Sequence, residues 1–530
     1  MSATAWIIIG ILAYAAFMVW HGFSNFRQTS KSAESFFNAD RGVSSFVLVC
    51  TTAISVFSGL TYYGYPSSMY RFGIGYFTGT GCGVIALCFC TIGFRLWVLG
   101  KEYGFQTPSD YLRSRYYSEG FGLFVAVLLT IFIIPYTTLQ LITIGDGIST
   151  TTNGAFPYML AVLFGTVCVS LHIIGGGMKS VAWLDTFHLI LGFAAVYVLV
   201  IVIVMKYFPD GGLVEAANIV ANGDRASVFT VPGPTGAYTW KAMLNLAITG
   251  AVATIVWPHI FMRCYIAQGT KNFKVMAVAL PLVYGFVFVG LVILGLIIGP
   301  ALLGPDFADP DTIVPTLATK YCPPIVSFIS LLCIFAFAVS TSDSMLLSAS
   351  AMASRDIYGR WKYELKGKAV EPKKTVFFAR VILVIMMIIC ILISMFKPTY
   401  ITDYAYSLCS PFFAMIMPCT IGGLWWKRGT KEGAWAGTVA GLIVVFLLTF
   451  FITPPLGFSA LVWGLVVNTV LYIVVSLCTK CPEEVVDKYI TRIGSIINCS
   501  TELKEKTGSA LKAARMSSVN NAPMAVPAMA

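Results

Sequence analysis

AFAVSTSDSMLLSAS, residues 336–350, lies inside an apolar run that otherwise reads as a membrane helix, yet it carries six hydroxyls and one carboxylate, Asp343. At about 100° per residue, Phe337, Ser340, Thr341, Ser344 and Ser348 fall within an arc of roughly 100°. Asp343 lies just outside that arc on the Ser340 side, and Ser342 points the other way. A membrane serine usually satisfies itself on a carbonyl one turn back, which explains one hydroxyl but neither the clustering nor the carboxylate. A carboxylate at the bilayer centre costs at least about 2.5 kcal/mol unless a partner compensates it. No lysine or arginine is expected at matching depth, so the expected partner is a cation, and small hard cations prefer oxygen ligands. Asp185, in VAWLDTFH, supplies a second buried carboxylate from another helix. The stripe reads as one wall of a sodium site.

The rest of the chain supports a membrane setting. It has 530 residues, 57% hydrophobic and only 11% charged, with a mean hydropathy of +0.81. That composition cannot cover a soluble surface of this size. Apolar runs of about 20 residues, enough to cross roughly 30 Å of hydrocarbon, recur throughout. The expected fold class is an all-α polytopic membrane protein of about 13 transmembrane helices. These fall near residues 5–24, 43–64, 73–99, 120–146, 156–175, 181–206, 241–262, 275–303, 322–352, 375–396, 400–426, 433–453 and 457–478. Residues 1–480 are expected to form one transmembrane domain, and 481–530 a cytoplasmic tail with a short surface helix around residues 483–497 and a disordered end. The first apolar stretch lacks a basic region before it and a cleavage pattern after it, so it is expected to be a retained helix with its N-terminus outside.

With that orientation, twenty lysines and arginines fall in cytoplasmic loops, Arg263 among them, against six in the opposite loops. The bias matches the positive-inside rule, placing the C-terminus in the cytoplasm of a plasma membrane, or of the inner membrane in a bacterium. The same account explains the net charge of +11 without a nucleic-acid partner. The fourteen cysteines are mostly inside apolar segments and suggest no disulfide framework. The single CxxC, Cys478 to Cys481, has no second pair or histidine beside it to complete a metal site.

Two spans are interrupted. One runs through SVFSGLTYYGYPSS, with Ser58-Gly59 inside it and Pro66 at its end; the other contains ITGAVATIVWPH, with Gly250 and Pro258. Helix breakers in lipid are tolerated where the freed backbone lines a cavity or coordinates something. Counted from the second span, the breaks open each of two five-helix sets, about 43–206 and 241–426, which points to inverted repeats around a central site. The helix at 5–24 and the two at 433–478 lie outside the repeats.

These stretches carry a recognisable pattern. TAISVFSGLTYYGYPSSMYRFG, PYTTLQL, GGGMKSVAWLDTFH, WPHIFMRCY, AVSTSDSMLLSASAMASRDIY and GLWWKRGTKEGA occur in order, and together the chain resembles the sodium:solute symporter family. That family includes bacterial proline and pantothenate permeases and animal sodium/glucose carriers. The resemblance implies a LeuT-like 5+5 inverted repeat, broken first and sixth core helices, and alternating-access symport with Na+ as the coupling ion. It implies a principal sodium held by the carbonyls of Ile54, Phe57 and Phe337 and the hydroxyls of Ser340 and Thr341. A second sodium, present in some members, would map to Asp185, Ser340, Asp343 and Ser344. His188 replaces the glutamine usual three residues after the aspartate, which leaves a proton at Asp185 and His188 as an alternative. Val56 stands where proline carriers have a carboxylate, making proline a less favoured solute.

The solute is expected at midplane, against Ser58, Thr61 and Tyr62 from the first core helix, Tyr136 and Gln140 from the third, and Gly250 and Thr254 from the sixth. No basic residue is expected at that depth, so a carboxylate would rely on helix N-terminal amides, hydroxyls or the sodium itself. The expected activity is sodium-driven uptake of a monocarboxylate, a pantothenate-like acid or an amino acid, with no enzymatic chemistry. A proton-coupled carrier and a solute sensor without net transport are the alternatives.

Overall fold

The computed structural model describes residues 3–79, 82–362, 364–368, 371–396 and 408–498. Among them the chain is helical, with one isolated parallel bridge between Val43 and Ala267. In order, the main helices are α1 (Ala3–Ser24), α2 (Ser45–Val56), α3 (Leu60–Phe77), α4 (Val84–Tyr103), α5 (Pro108–Arg115), α6 (Glu119–Thr151) and α7 (Tyr158–Tyr207). They are followed by α8 (Trp240–Val256), α9 (Pro258–Tyr265), α10 (Thr270–Leu303), α11 (Pro324–Lys362), α12 (Pro372–Ser394), α13 (Ser410–Trp425), α14 (Lys431–Phe450) and α15 (Ala460–Cys478).

Nine of the described helices are long and apolar enough to cross a membrane, or up to eleven if each bent pair is one span. The expected thirteen differ from this for identifiable reasons. The spans expected at 156–175 and 181–206 form the 50-residue α7, whose helical path is interrupted at Gly177, φ 54°. A straight helix of that length would run about 75 Å, far beyond roughly 30 Å of hydrocarbon. Only glycine suits the corner, because a Cβ there would meet the Phe36 carbonyl oxygen at 2.7 Å. The span expected at 400–426 lies partly outside the described residues, and α13 is its apolar inner portion. The tail helix forms as expected from Glu483 onward, whereas the end expected to be disordered lies outside the described residues.

Both expected breaks are present. α2 and α3 meet at a 60° bend, and α8 and α9 at a 49° bend. α11 lies at the centre, packed against α7, α6 and α2, with 78% of its apolar window buried against 28% for α15. The hydroxyl stripe is therefore interior. At the margin, α14 and α15 approach through small residues: a Cβ on Gly437 would meet the Asn468 carbonyl oxygen at 2.6 Å. Below the core, α5 is tied to the end of α11, with Asp110 pairing Arg355 at 3.1 Å and Arg113 at 3.0 Å, while Asp356 accepts from Thr107 at 2.6 Å.

Candidate functional site

The first break leaves its amides satisfied and the Phe57 carbonyl turned toward α11. Phe57 turns extended, φ −73° and ψ 106°. The Ser58 N–H then donates to Thr61 Oγ1 at 3.1 Å and the Gly59 N–H to Gln140 Oε1 at 2.7 Å. Gly59 is required by this approach, since a Cβ would meet Thr143 Cβ at 2.7 Å. On the α11 side, Thr341 Oγ1 donates toward Phe337 O at 3.1 Å and Phe57 O at 3.3 Å, with Ser55 O at 3.5 Å. Thr341 thus joins α11 to the end of α2. Ser340 Oγ, one residue earlier, is buried beside the Asp185 carboxylate without a hydrogen bond of good geometry. Ile54 is fully buried on α2 one turn before the break. The Phe57 and Phe337 rings stack at 5.7 Å and shut the cluster off on one side. A group of carbonyl and hydroxyl oxygens with a carboxylate beside it fits a small hard cation.

The expected second cation or proton group does not assemble as one site. Asp185 Oδ2 accepts from Thr51 at 2.5 Å and from Arg263 Nη2 at 3.1 Å, and Ser344 Oγ accepts from the same nitrogen at 2.7 Å. Asp343 pairs instead with His172 Nδ1 at 2.5 Å, and His188 Nε2 bonds the Tyr14 hydroxyl of α1. The absence of a buried basic residue is likewise corrected. Arg263 is fully buried, because the α8–α9 bend turns a residue that reads as a cytoplasmic loop charge back toward α2.

Five of the seven expected solute contacts, Ser58, Thr61, Tyr136, Gly250 and Thr254, line one cavity between the two breaks. Trp257, Tyr65, Tyr76, Tyr284 and Phe288 complete its aromatic wall. Two expected contacts do not reach it. Tyr62 turns to α11, its hydroxyl 3.0 Å from Ser330 Oγ and its ring edge-on to Phe337. The cause is the π-helical turn over Leu60–Gly64, which changes the rotation per residue from that of an α-helix. Gln140 is consumed by the Gly59 amide and its own helix, donating to Tyr136 O at 3.3 Å. Trp257, part of the WPH break, is a lining residue that the position of the break alone does not mark. Ser58 Oγ and Trp257 Nε1 are both buried in this wall without a hydrogen-bond partner. Both can donate, so the cavity is poised for an acceptor.

A model of the sodium:solute symporter family matches residues 36–441. The sodium/pantothenate symporter of Haemophilus influenzae is 24% identical over 472 residues, covering 88% of this chain and 95% of that protein. The sodium/proline symporter of Staphylococcus aureus is 23% identical over 513 residues, covering 92% and 96%. A solved sodium-coupled sialic acid symporter, substrate-bound and outward-open, superposes with a TM-score of 0.74 at 19% identity, covering 90% of this chain and 98% of that one.

Proposed function

This chain belongs to the sodium:solute symporter family, and from that premise we propose that inward sodium flow drives its uptake of a small carboxylate-bearing solute by alternating access. It is a multi-pass membrane transporter with sodium as its coupling ion. Our reading has thirteen crossings: α7 counts as two that meet at Gly177, and α13 is the inner end of another. The N-terminus faces outward and the C-terminus the cytoplasm, an orientation the loop charges favour even with Arg263 removed from the count.

The observation that carries the reading is the Thr341 hydroxyl, 3.1 Å from Phe337 O and 3.3 Å from Phe57 O, with the Ser340 hydroxyl buried next to it beside Asp185. Sodium at this point bonds α11 to the broken α2, through the carbonyls of Ile54, Phe57 and Phe337 and the hydroxyls of Ser340 and Thr341. The same break carries Ser58 and Thr61 into the cavity, so drawing α11 onto α2 also shapes the solute wall. Each ligand then raises the other's affinity by the same factor. The acceptor expected by Ser58 Oγ and Trp257 Nε1 favours a solute such as a monocarboxylate, a pantothenate-like acid or an amino acid. The aromatic wall suits its apolar body.

Uptake into proteoliposomes tests this, with labelled monocarboxylates, pantothenate and amino acids supplied under an inward sodium gradient or with choline replacing sodium. The expected result is accumulation only with sodium. Accumulation that ignores sodium and follows a pH gradient would refute it.

A further inference from the structure

Arg263 Nη2 lies 2.6 Å from Ser55 Oγ, 2.7 Å from Ser344 Oγ, 2.9 Å from Thr51 Oγ1 and 3.1 Å from Asp185 Oδ2. These oxygens come from α2, α7 and α11, while Arg263 itself is on α9. A guanidinium NH2 has two protons and cannot make four ordinary hydrogen bonds. The nitrogen sits among oxygens as a metal ion would. Its neighbour Nε also donates to Thr51 O at 3.2 Å.

The surrounding hydroxyls are already accounted for. Thr51 donates to Asp185, Ser55 donates to Thr51 O at 2.6 Å, and the Ser344 hydroxyl, 3.1 Å from Ser55 Oγ, can donate to it. Arg263 and Asp185 side chains are 0% and 1% exposed, so the carboxylate's charge is balanced where no water can help. An added sodium would have to sit against the guanidinium, whose charge Asp185 already balances, while the neighbouring Asp343 carboxylate is turned to His172 Nδ1 at 2.5 Å. One helical turn away, Ser340 Oγ lies beside the same carboxylate but makes no hydrogen bond to the guanidinium.

We propose that Arg263 is the resident cation of the position where Asp185 and Ser344 would otherwise hold a second sodium, so that this carrier binds one sodium ion rather than two. The proposal rests on the symport reading above, which supplies the principal sodium at Ser340 and Thr341. It replaces the second mobile ion with a charge fixed to α9, one that stays with the protein through the cycle.

The test is the number of radioactive sodium ions bound at saturation by the purified full-length protein, with the sodium-dependent shift in thermal midpoint as a check on folding. The wild type is expected to bind one ion, and the Ser340→Ala/Thr341→Ala double variant none. Arg263→Gln is expected to bind two, and Arg263→Gln with Asp185→Asn to return to one. Two ions on the wild type overturn the proposal and leave the symport reading standing, whether or not the variants fold. Folded Arg263→Gln that stays at one ion also overturns it. No ion on the wild type removes the symport reading, and the proposal falls with it.

Discussion

The two broken helices do opposite work. The first, at residues 57–59, spends side chains from elsewhere on its amides: Gln140 takes the Gly59 N–H and Thr61 the Ser58 N–H. The Phe57 carbonyl is thereby left facing α11. The second, at Trp257-Pro258, sends donors outward: His259 Nε2 lies 3.2 Å from Ser55 O, and Arg263 reaches Thr51 O. Pro258 begins α9 without an N–H, so this break strands one amide fewer than an ordinary helix start. One break is a source of acceptors and the other a source of positive charge. The pairing teaches why both must lie at the same depth: the donors of the second terminate on the last two turns of the helix that the first interrupts.

Removing the charge from the donor side should have the largest effect. Arg263→Ala leaves Asp185 buried without its counter-charge, a loss on the order of 3–5 kcal/mol. The thermal midpoint in choline should fall steeply, and sodium should restore part of it. A variant as stable as the wild type in choline would break the comparison. On the acceptor side, Gln140→Leu strands the Gly59 N–H and should cost about 1–3 kcal/mol. It should also lower solute affinity, because Ser58 and Thr61 depend on the geometry of that turn.

Smaller effects sharpen the picture within α11. Ser340→Ala or Thr341→Ala should raise the sodium concentration for half-maximal uptake several-fold, or about 1 kcal/mol. Ser348→Ala should do little, since that hydroxyl is spent on Ser344 O at 2.8 Å. Equal effects at all three would mean the stripe is not divided between the breaks as described.

The smallest response is expected from acid at α5, away from both breaks. Burial alone would raise the Asp110 carboxyl, but Arg355, Arg113 and the Gln106 amide hold it at about 2. A depressed carboxyl contributes stability that is fully present above its unfolded value, near about 4, and is lost as pH falls through its folded value. Lowering the pH from about 7 to 5 should therefore leave the Asp110 pairing with Arg355 and Arg113 intact. Loss of thermal midpoint in that range that disappears in Asp110→Asn would contradict it.

Much of this was legible before any coordinates. Gly59 and Pro258 mark the breaks because helix breakers in lipid are rare and costly. Ser340 and Thr341 announce themselves by sharing one face of an otherwise apolar helix. Arg263 could not be read in the same way. In sequence it ends a span and looks like a loop cation; only the 49° bend brings it inward. The partnerships of Asp343 with His172 and of His188 with Tyr14 join residues more than 170 positions apart, and no local period encodes them. Tyr62 follows the break in sequence, but its position alone does not encode the π turn at Leu60–Gly64 that carries it.

The corner at Gly177 has a consequence of its own. Two rods that meet at one residue, wedged against the Phe36 carbonyl, have no slack to absorb torque. A tilt of the rod bearing His172 must be passed directly to the rod bearing Asp185, as an elbow passes motion between two bones. A flexible tag inserted after Gly177 should therefore uncouple them, while the same tag in the exposed stretch near Asn222 should be tolerated.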